Sequence, residues 1–71
     1  MAQGTLDITL NGAAETVSSG ATMVDLLTTI GLPSEGVAVA VNGAVVPRAL
    51  HALTAIENGD RIEVIRAVGG G

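Results

Sequence analysis

The chemistry this chain can do is concentrated on its main chain rather than on its side chains. The sequence finishes RIEVIRAVGGG over residues 61–71, where strand alternation gives way to Gly69, Gly70 and Gly71. Three glycines neither pack nor propagate a strand, and ordering them loses more backbone entropy than ordering any other residue. What they offer is slenderness and reach. Without Cβ atoms they fit a channel barely wider than the backbone, and beyond Val68 three residues extend at most about 10 Å. The carboxylate of Gly71 is then unhindered, and ionised near neutral pH. A carboxylate is a poor electrophile until one of its oxygens becomes a good leaving group. Transfer of an adenylyl group from ATP achieves that, and the acyl-adenylate is open to attack by sulfur or nitrogen. The tail is therefore expected to be an acyl handle offered to another protein's active site. Gly71 is the modified residue, and Gly69 and Gly70 thread the partner's channel.

The side chains add little to this. No Ser/His/Asp arrangement, phosphate-cradling glycine loop or cluster with metal-ligand spacing occurs, so no catalytic or metal-binding residue is expected and no bound cofactor. His51 is the only imidazole and is expected at the surface of a connector, without a role. Glu57 and Asp60 stand on either side of an Asn-Gly pair and read as solvated turn carboxylates. The absence of Cys removes disulfides, thiolate zinc sites and a cysteine nucleophile. A free-standing enzyme is not expected.

Charge and composition narrow the partners. The net charge is −4, with three Arg, no Lys and no aromatic residue, which leaves no cationic footprint for phosphates and nothing to stack on bases. Nucleic acid is excluded on that basis. Residues 1–35 carry four acids and no base, whereas the arginines all lie in residues 36–71 and balance the acids there. The end of the chain is thus spared the repulsion that the first half would exert on an anionic ligand. The opening MAQGTLDITL lacks a basic n-region and carries Asp7 within its apolar stretch, so no signal peptide is expected. No apolar run approaches the ~18 residues needed to span a membrane. The expected location is the cytoplasm.

Elements must hold the tail in place. TLDITL alternates, with Leu6, Ile8 and Leu10 on one face of a half-buried strand. Asn11-Gly12 is a preferred hairpin pair, and AAETVS returns as a weaker strand. Met23, Leu26, Leu27 and Ile30 then fall on one face of a helix over about 23–30. Thr22 with Asp25 resembles a capping box, and Gly31 supplies a left-handed stop before Pro33. GVAVAVNGAVVP is a second hairpin about Asn42-Gly43. Its first strand is apolar on both faces and is expected in mid-sheet, covered on both sides or nearly so. A connector, RALHALTAIENGD, holds a turn of helix before a tight turn at Asn58-Gly59, and RIEVIRAV is the closing strand. Its alternation breaks after Val64, so either a bulge resets the register or Ile65 is left exposed towards a partner; exposure is the favoured outcome. The whole is one α+β domain over residues 1–68, with 1–4 dispensable and a flexible tail at 69–71. One helix packs on a mixed four- to five-stranded sheet, an order like the β-grasp, or ubiquitin-like, fold.

VNGAVVPR at 41–48, ENGDRIEVIRAV at 57–68 and the terminal glycines together resemble the ThiS family, the small sulfur carriers of thiamine biosynthesis. The similarity runs from Leu6 to Gly71. It implies a β-grasp carrier whose Gly71 carboxylate is adenylated by an E1-like adenylyltransferase that uses ATP. A sulfur-donor system of the cysteine-desulfurase type then converts it to a thiocarboxylate, which gives its sulfur to thiazole synthase. A cargo held on the main-chain end needs no side-chain thiol, which accounts for the missing Cys. Arg48, Ile65, Arg66 and Val68 are candidate interface residues. Two departures stand out: Gly69 occupies a position where the family commonly has another residue, and ALHAL after Arg48 lacks an aromatic residue that many relatives carry. A carrier like the small subunit of molybdopterin synthase, a ubiquitin-like modifier of lysines and a plain interaction module remain open alternatives.

Overall fold

The computed structural model describes residues 4–32 and 36–66. Strands β1 (Thr5–Leu10) and β2 (Ala13–Ser18) form the first hairpin, helix α1 spans Met23–Thr29, and β3 (Val37–Val41) and β4 (Ala44–Val46) form the second hairpin. A 3-10 turn at Arg48–Leu50 lies in the connector, and β5 (Arg61–Arg66) closes the sheet. The strand order is β2-β1-β5-β3-β4, with β5 central, parallel to β1 and antiparallel to β3. This is the expected β-grasp arrangement, with five strands.

Local chemistry sets each boundary. Asn11 and Gly12 sit at φ 51° and 85°, and Asn42 and Gly43 at 53° and 87°, the left-handed pair that a two-residue hairpin demands. The helix opens with a complete capping box: Thr22 N–H donates to Asp25 Oδ2 at 2.9 Å and Asp25 N–H to Thr22 Oγ1 at 3.3 Å. The remaining free donors of its first turn are taken by the connector, Met23 N–H by Thr54 O and Val24 N–H by His51 O. It closes on Gly31, with Gly31 N–H donating to Thr28 O and Leu32 N–H to Leu27 O, the paired bonds of a Schellman stop.

The core lies between α1 and one face of the sheet: Met23, Leu26 and Leu27 from the helix, Ile8, Val17, Val39, Ile62 and Val64 from the strands, and Ile56 from the connector. Burying these side chains is what holds so short a helix, since seven residues are too few to be helical alone. Ile30, expected on that buried face, lies at its rim and is exposed, because the helix has already ended one residue earlier.

Three further expectations are corrected. β3 is an inner strand, paired with β5 and β4 as expected, but it is not covered on both sides; Val39 is buried, whereas Ala38 on the opposite face is open to solvent. One helix can cover only one face of a sheet. His51 is not at the surface but 1% exposed, drawn inward as the connector crosses the N-terminus of α1. Asp60 is buried too, because it caps its own turn: its Oδ2 accepts from Glu57 N–H at 2.9 Å and its Oδ1 from Asn42 Nδ2 at 3.0 Å. Glu57 is exposed, as expected.

Candidate functional site

The site is the end of β5, from which the glycine tail departs. On one side β5 pairs with β3 without interruption from Val41↔Ile62 to Val37↔Arg66, so no bulge resets the register after Val64. On the other side it pairs with β1 only at Thr9↔Arg61 and Leu10↔Ile62, since β1 turns away at Asn11. The side chain of Asn11 continues the pairing in place of backbone. Its Oδ1 accepts from Val64 N–H at 2.9 Å and its Nδ2 donates to Val64 O at 3.2 Å. An amide side chain presents the same donor and acceptor as a peptide group, so it can complete the ladder. The base of the tail is therefore gripped from both sides up to Val64.

Alternation then sends Ile65 to the face away from the helix. It is 66% exposed, the favoured outcome of the broken pattern. The register aligns Ala38 with Ile65 in one row, and Glu63, Ala40 and Val45 in the next. Val45 is 74% exposed and Ala38 is open, while Ala40 is half-buried. Among the described residues this makes a small apolar patch, Ile65-Ala38-Ala40-Val45, beside the carboxylate of Glu63. Apolar side chains grouped on an open sheet face mark a place where another protein can dock.

The other candidates divide around it. Arg66 shares the helix-side face with Ile62 and Val64, but it is exposed because it stands at the end of the sheet. Ile65 and Arg66 thus point to opposite faces. Val39↔Val46 pairing makes β4 and β5 finish at the same end of the sheet, so Arg48, two residues past β4, emerges at the end where Arg66 lies. Val68, Gly69, Gly70 and Gly71 lie outside the described residues. Val45, Ala38 and Ala40 were not among the sequence candidates. The signal for them was present: VAVAV is apolar on both faces, and the one α-helix among the described residues covers only one of them.

Among the described residues no group of three or more His, Cys, Asp or Glu side chains could hold a metal ion. No helix among them is long and apolar enough to cross a membrane.

Comparison with known proteins points in one direction. The sequence pattern of the ThiS family matches residues 7–71. A crystal structure of a thiamine biosynthesis protein (ThiS) from Geobacter metallireducens superimposes with a TM-score of 0.79 at 30% identity, covering 93% of this chain and 100% of that one. A solution structure of a thiamine biosynthesis protein from the same organism gives a TM-score of 0.77 at 30% identity, covering 93% of this chain and 88% of that one. Two thiazole synthases also match over 66 residues, that of Paramagnetospirillum magneticum at 33% identity and that of Magnetococcus marinus at 38%. Each match takes in 93% of this chain but only 20% of the thiazole synthase, so the chain spans about a fifth of the length of those relatives.

Proposed function

Because this chain belongs to the ThiS family, we propose that it is a sulfur carrier of thiamine biosynthesis which works on its Gly71 carboxylate. The observation that carries this reading is the family match itself, which extends over the β-grasp body and through all three terminal glycines. In the proposed cycle a carboxylate oxygen of Gly71 attacks the α-phosphorus of ATP in an E1-like adenylyltransferase and expels pyrophosphate. A sulfur nucleophile from the donor system then adds to the acyl carbon and displaces AMP. Free sulfide gives the thiocarboxylate directly, whereas a persulfide donor gives an acyl disulfide that a second thiol cleaves, freeing the thiocarboxylate and leaving a disulfide on the thiol side. The sulfur passes to the substrate of thiazole synthase. An oxygen from that substrate or from water returns to the acyl carbon, so the original carboxylate is regenerated. The chain is a co-substrate in this scheme rather than an enzyme, and its place of work is the cytoplasm.

The folded body serves as the grip. The patch of Ile65, Ala38 and Val45 gives the adenylyltransferase an apolar surface next to the point where the tail departs, so docking and threading happen in one step. Arg48 and Arg66, at the same end of the sheet, contribute charge at its rim, and Val68 enters the mouth of the channel. Gly69 and Gly70 bring Gly71 to the nucleotide. Likeness to part of two thiazole synthases supports that enzyme as the sulfur acceptor.

The test is an intact-mass measurement of the protein after incubation with ATP, sulfide and its adenylyltransferase. A gain equal to exchange of one oxygen for sulfur, localised to Gly71, is the expected result. An unchanged mass with an active adenylyltransferase removes the proposal. Co-purification separates the related carriers: capture of a large molybdopterin-synthase subunit in place of thiazole synthase assigns the chain to the other pathway.

A further inference from the structure

We propose that the outer edge of β2, with the groove between β2 and α1, is a second docking site, and that it takes an extended, lysine- or arginine-bearing segment of a partner protein as an added strand. It lies across the sheet from the Ile65 patch, with β1, β5 and β3 between β2 and the Val45 strand.

Among the described residues the backbone of this edge has no strand partner, and Ala14, Thr16 and Ser18 are exposed. Ser19 N–H donates to Gly4 O at 2.9 Å, and bonded pairs alternate along an antiparallel ladder, so the next bonded pairs are Leu6/Val17, Ile8/Glu15 and Leu10/Ala13. Ala14, Thr16 and Ser18 consequently turn their N–H and C=O groups outward. Among the described residues only the carbonyl of Ser18 is used, by Ala21 N–H at 3.0 Å. Edges of this kind are commonly blocked by Pro, Lys, a bulge or a covering segment. β2 is AAETVS, which contains neither Pro nor Lys, and its register with β1 is unbroken over all six residues.

The flanks are shaped for side chains. A groove of about 390 Å³ runs between β2 and the helix, lined by Thr16, Ser18, Ala21, Asp25, Leu26 and Thr29 among others. A second hollow of about 310 Å³ lies against Asp7, Ala14, Glu15 and Thr16. Thr16 borders both, so a strand laid along it can send alternate side chains into each. Charge selects the occupant. Asp7, Glu15 and Asp25 border the hollows, and residues 1–35 contain no Lys or Arg. A long basic side chain can lay its methylenes over Ala21 and Leu26 and bring its cation to Asp25. The same charge disfavours a second copy of this chain, which would set acid against acid along the shared edge.

The test uses the isotope-labelled full chain, titrated with a capped eight-residue peptide alternating lysine and valine, and with its glutamate–valine counterpart. Amide shifts and slowed exchange at Ala14, Thr16 and Ser18 are expected with the lysine peptide only. Thr16→Pro deletes one outward donor while leaving the β1 ladder intact, and should weaken binding about tenfold, the size of one backbone hydrogen bond. Thr16→Lys keeps the backbone and should abolish binding by repulsion, so a folding defect in the proline variant does not cloud the outcome. Equal binding of both peptides, shifts centred on Ile65 and Ala38, indifference to Thr16→Lys, or self-association through β2 in place of peptide binding would each overturn the proposal. Neither ATP nor Gly71 takes part, so failure here leaves the carrier reading untouched.

Discussion

Asn11 and Val64, 53 residues apart in sequence, exchange two hydrogen bonds through a single side-chain amide, one to the Val64 N–H and one to its carbonyl. Asn11 is also a positive-φ residue of the first hairpin turn. One residue thus turns the β1–β2 hairpin and locks the central strand just before the tail departs. Asn42 repeats the device at the second hairpin, where its Oδ1 accepts from Arg61 N–H at 2.9 Å.

Replacing Asn11 by Gly keeps the turn conformation available and removes both bonds to β5. Stability should fall by about 1–3 kcal/mol, since two partly buried backbone groups lose their partners. Asn11→Asp keeps the acceptor for Val64 N–H, loses the donor to Val64 O, and should fall between wild type and Gly. Urea titrations give the order, and amide exchange at Val64 should accelerate in the glycine variant alone. An unchanged Val64 amide in that variant would show that the latch is not what protects β5.

His51 is the second testable anchor. Its Nε2 lies 3.1 Å from Val46 O, and its buried Nδ1 has no hydrogen-bond partner among the described residues. Truncation to Ala leaves a cavity and removes the ring's hydrogen bond to Val46 O, and should destabilise by about 2–4 kcal/mol. Leu refills much of that space and should be less damaging than Ala by about 1 kcal/mol or more, as read from thermal or urea midpoints. Equal stability of both variants with wild type would mean that the connector does not depend on this side chain.

Ile65 separates docking from folding. Being 66% exposed, it should tolerate Asp with a change in stability within about 0.5 kcal/mol. Adenylation of the variant should nonetheless drop, with kcat/KM down on the order of thirtyfold, which corresponds to about 2 kcal/mol of lost interface energy. Wild-type kinetics for Ile65→Asp would move the docking surface elsewhere.

The tail gives the most stringent test of the carrier chemistry. Removing Gly71, or adding any residue after it, should abolish adenylation without altering the unfolding curve. Gly70→Val should do the same by bulk in a channel that admits little more than backbone. Normal activation of the extended variant would place the reactive group somewhere other than the Gly71 carboxylate.

Much of the fold was legible in the sequence wherever neighbours a few residues apart decide the outcome. Both Asn-Gly hairpins, the Thr22/Asp25 box, the Gly31 stop and the strand alternation of 5–10 and 61–64 all follow from side-chain chemistry within one turn of helix or one hairpin. The exposure of Ile65 was legible for the same reason, as a local break in alternation. Family resemblance, carried by VNGAVVPR, ENGDRIEVIRAV and the glycines, was equally a property of the linear chain.

Only the tertiary structure decided burial and pairing between distant segments. His51 and Asp60 look solvated until the connector crosses the start of α1 and the Asn42 side chain arrives from the second hairpin. The open apolar face beside Ile65 exists because one helix covers one side of a five-stranded sheet, and no window of a few residues records which side that is. The Asn11–Val64 latch forms for a related reason: β1 pairs with β5 for only two residues before it turns away, a length set by how the two hairpins meet across the sheet.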